Sequence, residues 1–271
     1  MVNDFTLPFS CGEIKVNKAD RSNLLDEVRS RFRRGEGFAI ATLNLDHMVK
    51  LAQSPDFHAA YQQHDLVVAD GNPIVWLSRL AGQPVSLVAG SDLVDPLAAL
   101  ASAEGKSVML FGATEETLAL AAAELSARHP DLAIVGCLSP SRNFDPYGLE
   151  ADRLIEAMRR SGAALTFIAL GAPKQEIFAA RCRDLIPGMG FASVGAGIDF
   201  IAKKQRRAPI WMRRLAIEWL WRLAHEPRRL TRRYALCAAA FPGLALGVLA
   251  YGWSNSSIDA SHGAPAGTPA E

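Results

Sequence analysis

The strongest constraint in this sequence is a rhythm. From about Phe38 to about Phe200, short continuous apolar runs alternate with longer amphipathic stretches. The runs fall at 38–42, 66–69, 85–88, 108–111, 133–135, 165–169 and 192–194. A strand with one face in water alternates apolar and polar residues, whereas one covered on both faces reads as an unbroken apolar run. Between the runs, 114–128, 149–160 and 173–185 carry the spacing of helices that bury one stripe. Strand, helix, strand in this order specifies an α/β fold: a Rossmann-like, doubly wound, mainly parallel sheet with right-handed crossovers. With 271 residues, 49% of them apolar, the chain has the material for a core of that size.

Ligands of such sheets bind outside the carboxyl ends of the strands, where loops and helix N-termini meet. The polar and glycine-rich turns of this chain fall at those ends. Thr42 and Asn44 follow the first run, Asp70-Gly71-Asn72 the second, Gly90-Ser91-Asp92 the third and Gly112-Ala113-Thr114 the fourth. Gly171-Ala172-Pro173-Lys174-Gln175-Glu176 follows the sixth, and Gly195-Ala196-Gly197-Ile198-Asp199 the last. Several such turns along one sheet edge make a candidate site.

Each turn has an ordinary reading beside a functional one. Asp70 either caps a helix at 72–80 or points its carboxylate into a cleft as a general base, with Gly71 turning the chain. Lys174-Gln175-Glu176 is either an exposed helix start or an anion site, with Gln175 bonding sugar hydroxyls or a uracil edge. Gly195-x-Gly197 lacks the third glycine of a dinucleotide fingerprint, so it is thin support for an NAD-dependent oxidoreductase. It also suits a close-approach turn beside a phosphate or ribose. The sequence has no GxxxxGK[ST] phosphate loop and no Asp-x-Asp pair of the kind that holds a divalent metal. A diphosphate would then be met by arginine, lysine and backbone amides, so neither a metal nor a cofactor is expected.

The four cysteines, Cys11, Cys137, Cys182 and Cys237, form no CxxC pair, which suits a reducing compartment. His47, His58, His64, His129 and His225 lack HExxH spacing and read as surface or core residues rather than ligands. The first twenty residues contain no apolar h-region, so no secretory signal is expected.

Net charge is +1, yet residues 203–233 are strongly basic and only Glu218 and Glu226 oppose them. A clustered field of this kind attracts phosphates and anionic lipid heads; a solvated helix face is the plainer reading. Pro209 is placed to start a helix over 210–225 carrying Trp211, Trp219 and Trp221, and Pro227 to interrupt it or open a new segment. Arg222, Arg229, Arg232 and Arg233 suit a diphosphate, on a nucleotide or on a lipid. Tryptophans among arginines equally suit an interfacial anchor. No nucleic-acid motif accompanies them.

From Tyr234 to Trp253 no charged residue occurs, which meets the lower bound of about 18 residues for a membrane span. Three placements compete: a helix seated in one leaflet, a true span, and a helix packed on its own domain or a partner. The chain thus divides into an α/β body over 1–202, a basic then apolar helical appendage over 203–253, and a disordered tail over 254–271. A non-catalytic membrane scaffold is the reading these C-terminal features would support alone.

The turns and the appendage together resemble the WecG/TagA/CpsF glycosyltransferase family over about 38–234. The resemblance is carried by Thr42-x-Asn44, Ala69-Asp70-Gly71, Ala89-Gly90-Ser91-Asp92, Phe111-Gly112-Ala113 and Gly171-Ala172-Pro173-Lys174-Gln175-Glu176. It continues through Gly195-x-Gly197-x-Asp199-Phe200, Arg207-Ala208-Pro209, Glu218-Trp219-x-x-Arg222 and Glu226-Pro227-Arg228-Arg229-Leu230-x-Arg232-Arg233-Tyr234. Each piece is common; their order and spacing are specific.

The resemblance implies an inverting, metal-independent transferase that moves a hexosyl or N-acetylhexosaminyl group from a UDP-sugar. The acceptor would be a saccharide on a polyprenyl diphosphate, in exopolysaccharide or other cell-envelope glycan synthesis. It makes Asp70 the base, with Thr42 beside it, and assigns Arg222, Arg229 and Arg232 to closing over the site and engaging diphosphate. Asn44, Gly71, Asn72, Gly90, Asp92, Gly112, Lys174, Gln175, Glu176, Gly195, Gly197, Asp199 and Arg207 become binding-site candidates. The protein would sit on the cytoplasmic face of the inner membrane, and the appendage also suits packing in a homo-oligomer away from it. Two departures stand out. Gly136-Cys137-Leu138-Ser139-Pro140 replaces a Gly-Tyr-Phe-like turn, and the apolar stretch after Tyr234 implies attachment tighter than peripheral.

Overall fold

The computed structural model describes residues 4–262, with Arg214 and 252–262 described by backbone alone. Its centre is a six-stranded parallel sheet in the order β4-β3-β8-β7-β5-β6. The strands are β3 (Phe38–Leu43), β4 (Leu66–Ala69), β5 (Val108–Phe111), β6 (Ile134–Leu138), β7 (Leu165–Ile168) and β8 (Gly190–Ser193). All residues of β3, β4, β5, β7 and β8 are buried, as their unbroken apolar runs require. Strand β6 lies at the edge, and its exposure alternates along its length.

One face of the sheet is covered by α1 (Arg21–Arg34), α5 (Val94–Ala103), α6 (Glu115–Arg128) and α9 (Gly197–Ile201). The other carries α2 (Leu45–Leu51), α3 (Pro55–Gln62), α4 (Asn72–Leu80), α7 (Leu149–Ser161) and α8 (Lys174–Leu185). Under α8, Phe178 stacks on Phe111 at 4.8 Å between ring centroids and meets Phe144 edge-on at 5.1 Å. Layers on both faces make this the doubly wound α/β architecture expected from the rhythm.

Three expectations change. The run at 85–88 is not a strand. Its amides divide between two acceptors, Ser86 to the Ala19 carbonyl and Val88 to the Ala69 carbonyl, so one parallel bridge forms and no ladder. The helix over 210–225 is two, α10 (Ile210–Arg214) and α11 (Glu218–His225). The chain turns left-handed at Ala216, φ 61°, and the Ile217 amide donates back to the Met212 carbonyl at 3.0 Å. That is the hydrogen bond of a helix C-terminus. Third, α12 (Pro227–His262) continues past Ser254, so the start of the expected tail is helical; 263–271 lie outside the described residues.

An N-terminal hairpin, β1 (Phe5–Phe9) and β2 (Gly12–Val16), was not anticipated. Its alternating Phe5, Leu7, Ile14 and Val16 are buried over α2 and α3.

Helix α12 begins at Pro227, the first-turn position that proline suits. Among the described residues it is the one helix long and apolar enough to cross a membrane. It lies along α2, α4 and β1 with Leu230, Cys237 and Val248 buried, and Phe241 meets Trp76 edge-on at 6.3 Å. Asp46 of α2 pairs with Arg233 at 3.1 Å and with Lys50 at 2.8 Å. Its outer face leaves Leu236, Leu246 and Leu249 exposed.

Candidate active site

The carboxyl ends of β3 and β4 bring together the first group of candidates. Asp70 follows β4, and its amide donates to the Leu43 carbonyl at 2.7 Å. Helix α4 takes Gly71, φ 98°, as its N-cap and has no side-chain cap. The capping reading of Asp70 is therefore excluded. Its carboxylate instead lies by the Gly90 amide, which favours the ionised form. Gly90 in turn packs so closely on Thr42 that a Cβ there would lie 2.8 Å from Thr42 Oγ1. Thr42, Asp70 and Gly90 thus share one corner, with Thr42 only 4% exposed.

Burial pushes the Asp70 carboxyl up to about 6. Of the charges around it Arg222 acts most strongly, in the opposite sense, and Glu218 and Asp92 add to the rise. A carboxyl titrating there is ionised at neutral pH yet far more basic than an exposed aspartate, which is what proton abstraction from a hydroxyl calls for.

The turn after Gly90 ties the appendage to this corner. Arg207 pairs with Asp92, donates to the Ser91 carbonyl at 2.9 Å and lies 4.9 Å over the Phe200 ring. A Cβ on Gly197 would meet Val94 at 2.8 Å and Ser91 Cα at 3.2 Å, so that glycine lets α9 press onto the turn. Arg222 also lies over the Phe200 ring, at 5.9 Å from its centroid, and pairs with Glu218 at 2.9 Å. Between Phe200 and α11 opens a cleft of about 340 Å³, lined also by Lys204, Arg206, Glu218 and Trp221. Asp199, half-buried and raised by that burial, feels Arg229 and Glu226, which pair at 2.7 Å.

A second group sits deeper, beside β8. Gln175 and Glu176 are buried, at 4% and 0% exposure, so the exposed-helix-start reading fails for both. Gln175 Nε2 donates to Glu176 Oε1 at 2.7 Å, leaving Gln175 Oε1 and Glu176 Oε2 without partners. Gln175 Oε1 faces Gly195, 4.0 Å from where its Cβ would be. Burial raises Glu176 to about 7 and lowers His47 to about 3. Their 3.7 Å approach therefore involves a neutral imidazole, which is also bonded to the Tyr61 hydroxyl at 2.9 Å.

Other candidates are placed differently. Asn44 caps α2, accepting from the His47 amide at 3.0 Å. Lys174 donates to the Phe144 carbonyl at 2.7 Å. Gly112 lies between β5 and β7, where a Cβ would be 2.7 Å from the Ala169 carbonyl oxygen. Asn72 opens α4, half-buried. Arg232 is exposed on α12, and no carboxylate among the described residues pairs with it. The site candidates omitted Glu218 and Phe200, which share this corner; the four-residue spacing of Glu218 and Arg222 was the signal available for the first.

The family model of the glycosyl transferase WecG/TagA/CpsF family matches residues 9–256, nearly the whole chain. The chain belongs to that family. Its activity is glycosyl transfer in cell-envelope glycan synthesis. The match runs past the α/β body into the apolar half of α12, so body and appendage of this glycosyltransferase form one family unit.

Proposed function

We propose that this glycosyltransferase moves a hexosyl or N-acetylhexosaminyl group from a UDP-sugar to a saccharide carried on a polyprenyl diphosphate, with inversion and without a metal. The observation that carries the reading is Asp70: uncapped, beside Thr42 at the carboxyl edge of the sheet, and raised to about 6. Asp70 takes the proton of an acceptor hydroxyl as that oxygen attacks the anomeric carbon, and UDP leaves from the opposite face. Amides near Gly195 and Gly197, with Arg207 and Arg222, offset the charge on the departing diphosphate. Arg229 and Arg232 extend this basic surface towards the lipid side, where α12 presents Leu236, Leu246 and Leu249 outward. Helix α12 then seats on the cytoplasmic face of the membrane while remaining docked on the body, a monotopic arrangement.

The test is UDP release by the full chain on anionic lipid vesicles, with a panel of UDP-sugars and a lipid-diphosphate saccharide. Acceptor-dependent release with one donor is expected, falling by a factor of about 10²–10⁴ in Asp70→Asn. Near-wild-type turnover by Asp70→Asn would remove Asp70 from the chemistry. No release with any donor, together with no UDP binding by calorimetry, would overturn the donor assignment.

A further inference from the structure

Aromatic rings and charges of both signs line the cleft between Phe200 and α11. Its volume of about 340 Å³ lies at the small end of ligand pockets, which run from about 300 to 1,000 Å³. It takes one compact ligand rather than a lipid chain. Trp221 is fixed in its wall: Nε1 donates to the Arg206 carbonyl at 3.2 Å, and the ring lies 4.3 Å from that of His225, tilted by 37°. Glu218 meets Arg222 through one oxygen only. Arg222 Nε and Nη2 both donate to Glu218 Oε1, at 3.2 Å and 2.9 Å. Glu218 Oε2 and Arg222 Nη1 make no hydrogen bond among the described residues.

We propose that this cleft is the subsite for the acceptor saccharide, an inference that rests on the transferase reading above. An open carboxylate oxygen beside an open guanidinium nitrogen is a neighbouring acceptor and donor. Vicinal sugar hydroxyls, each able to donate and to accept, match such a pair. The Trp221 ring offers the apolar surface on which the C–H face of a sugar packs. Charge argues against a diphosphate in the same place. Lys204 pairs with Glu116 and Arg222 with Glu218, so two of the lining cations are already answered. The lining carboxylates, Glu218 and Glu226, repel a diphosphate and leave a neutral sugar unopposed.

The cleft also lies where an acceptor is needed. Its Phe200 wall carries Arg207 over the ring at 4.9 Å, and Arg207 pairs with Asp92 and donates to the Ser91 carbonyl at 2.9 Å. Gly90, which opens that turn, packs on Thr42 and has the Asp70 carboxylate by its amide. One arginine and one turn thus join the cleft wall to the corner of the base. On its other side α11 packs on α12, with Trp219 meeting Tyr234 edge-on at 6.0 Å. The helix that lines the cleft therefore also touches the helix that presents an apolar face outward.

The test is nitrogen–proton NMR of the full chain labelled at its tryptophan indoles, in a zwitterionic detergent without sugar. The Trp221 signal is identified by its loss in Trp221→Phe. The probes are glucose, mannose, N-acetylglucosamine, N-acetylgalactosamine and inorganic pyrophosphate, each titrated alone. A saturable shift of the Trp221 indole with at least one sugar is expected, with affinity about tenfold or more weaker in Glu218→Ala. No shift with any of these sugars overturns the proposal. A shift with pyrophosphate alone overturns it too and makes the cleft an anion site. Sugar affinity unchanged in Glu218→Ala takes the ligand off α11 and has the same consequence. Should Glu218→Ala fail to fold, the wild-type titrations decide alone. The titration needs neither donor nor turnover, so failure of the UDP-sugar assay and failure of the cleft to bind sugar are separate results.

Discussion

Strand β3 and the stretch of α12 from Tyr234 to Tyr251 are both apolar along their length, yet they end in opposite surroundings. All six residues of β3 are buried, between neighbouring strands and helices on both faces. In α12 only Leu230, Cys237 and Val248 are buried among the described side chains, while Leu236, Leu246 and Leu249 face outward. The difference follows from backbone hydrogen bonding. A strand finds partners only in other strands, so a central one is enclosed by necessity. A helix satisfies its own backbone and needs to bury only one stripe. Apolar composition therefore means core in the body and leaves a free surface in the appendage. Further apolar groups of the appendage, Ile210, Trp211, Leu215 and Trp219, are exposed as well.

The comparison breaks most sharply through the body. Phe178→Ala removes the ring stacked on Phe111 and should cost about 3–5 kcal/mol in denaturant unfolding, whereas Leu249→Ala should cost less than about 0.5 kcal/mol. Equal losses would mean that α12 is as firmly built in as the sheet.

Asp70 sets function against stability within the same corner. Its folded pKa, about 6, lies above the value of about 3.8 for an unperturbed aspartate. The folded state therefore binds more protons than the unfolded state between those values, and this residue's contribution to stability falls as pH rises through that window. Asp70→Asn removes a charge that is unfavourable at neutral pH. It should stabilise the protein at pH 7 by about 1–3 kcal/mol, with the gain vanishing near pH 4 in thermal melts. A destabilised Asp70→Asn at pH 7 would show that the Arg222 attraction outweighs burial.

The outward face of α12 is the next point of attack. Replacing Leu236, Leu246 and Leu249 together by Glu should weaken sedimentation with anionic vesicles by about tenfold or more, leaving UDP affinity unchanged. Vesicle binding that survives would move the membrane surface elsewhere. The smallest effect is at the hinge between α10 and α11. Ala216→Gly relieves a left-handed backbone and should stabilise the fold by about 0.5–1 kcal/mol in urea melts.

Much of the body was legible in the sequence because burial on two faces writes itself as continuous apolar runs. The hairpin Phe5–Phe9 and Gly12–Val16 escaped because its two short alternating runs lie outside the long rhythm. The run at 85–88 misled because apolar content does not reveal where an amide finds its acceptor. Asp70 shows the same limit: spacing alone allowed a cap, and the helix it precedes takes Gly71 instead.

What the sequence by itself determined is the layer architecture, the sheet edge on which the polar turns fall, and the family to which those turns belong. These depend on periodicity and local order, which are properties of neighbouring residues. The tertiary structure alone decided that Thr42, Asp70 and Gly90 share one corner, that Gln175 and Glu176 are buried, and that α12 lies along α2 and α4. Those facts depend on which distant surfaces meet, and electrostatic strength depends on the water excluded where they do.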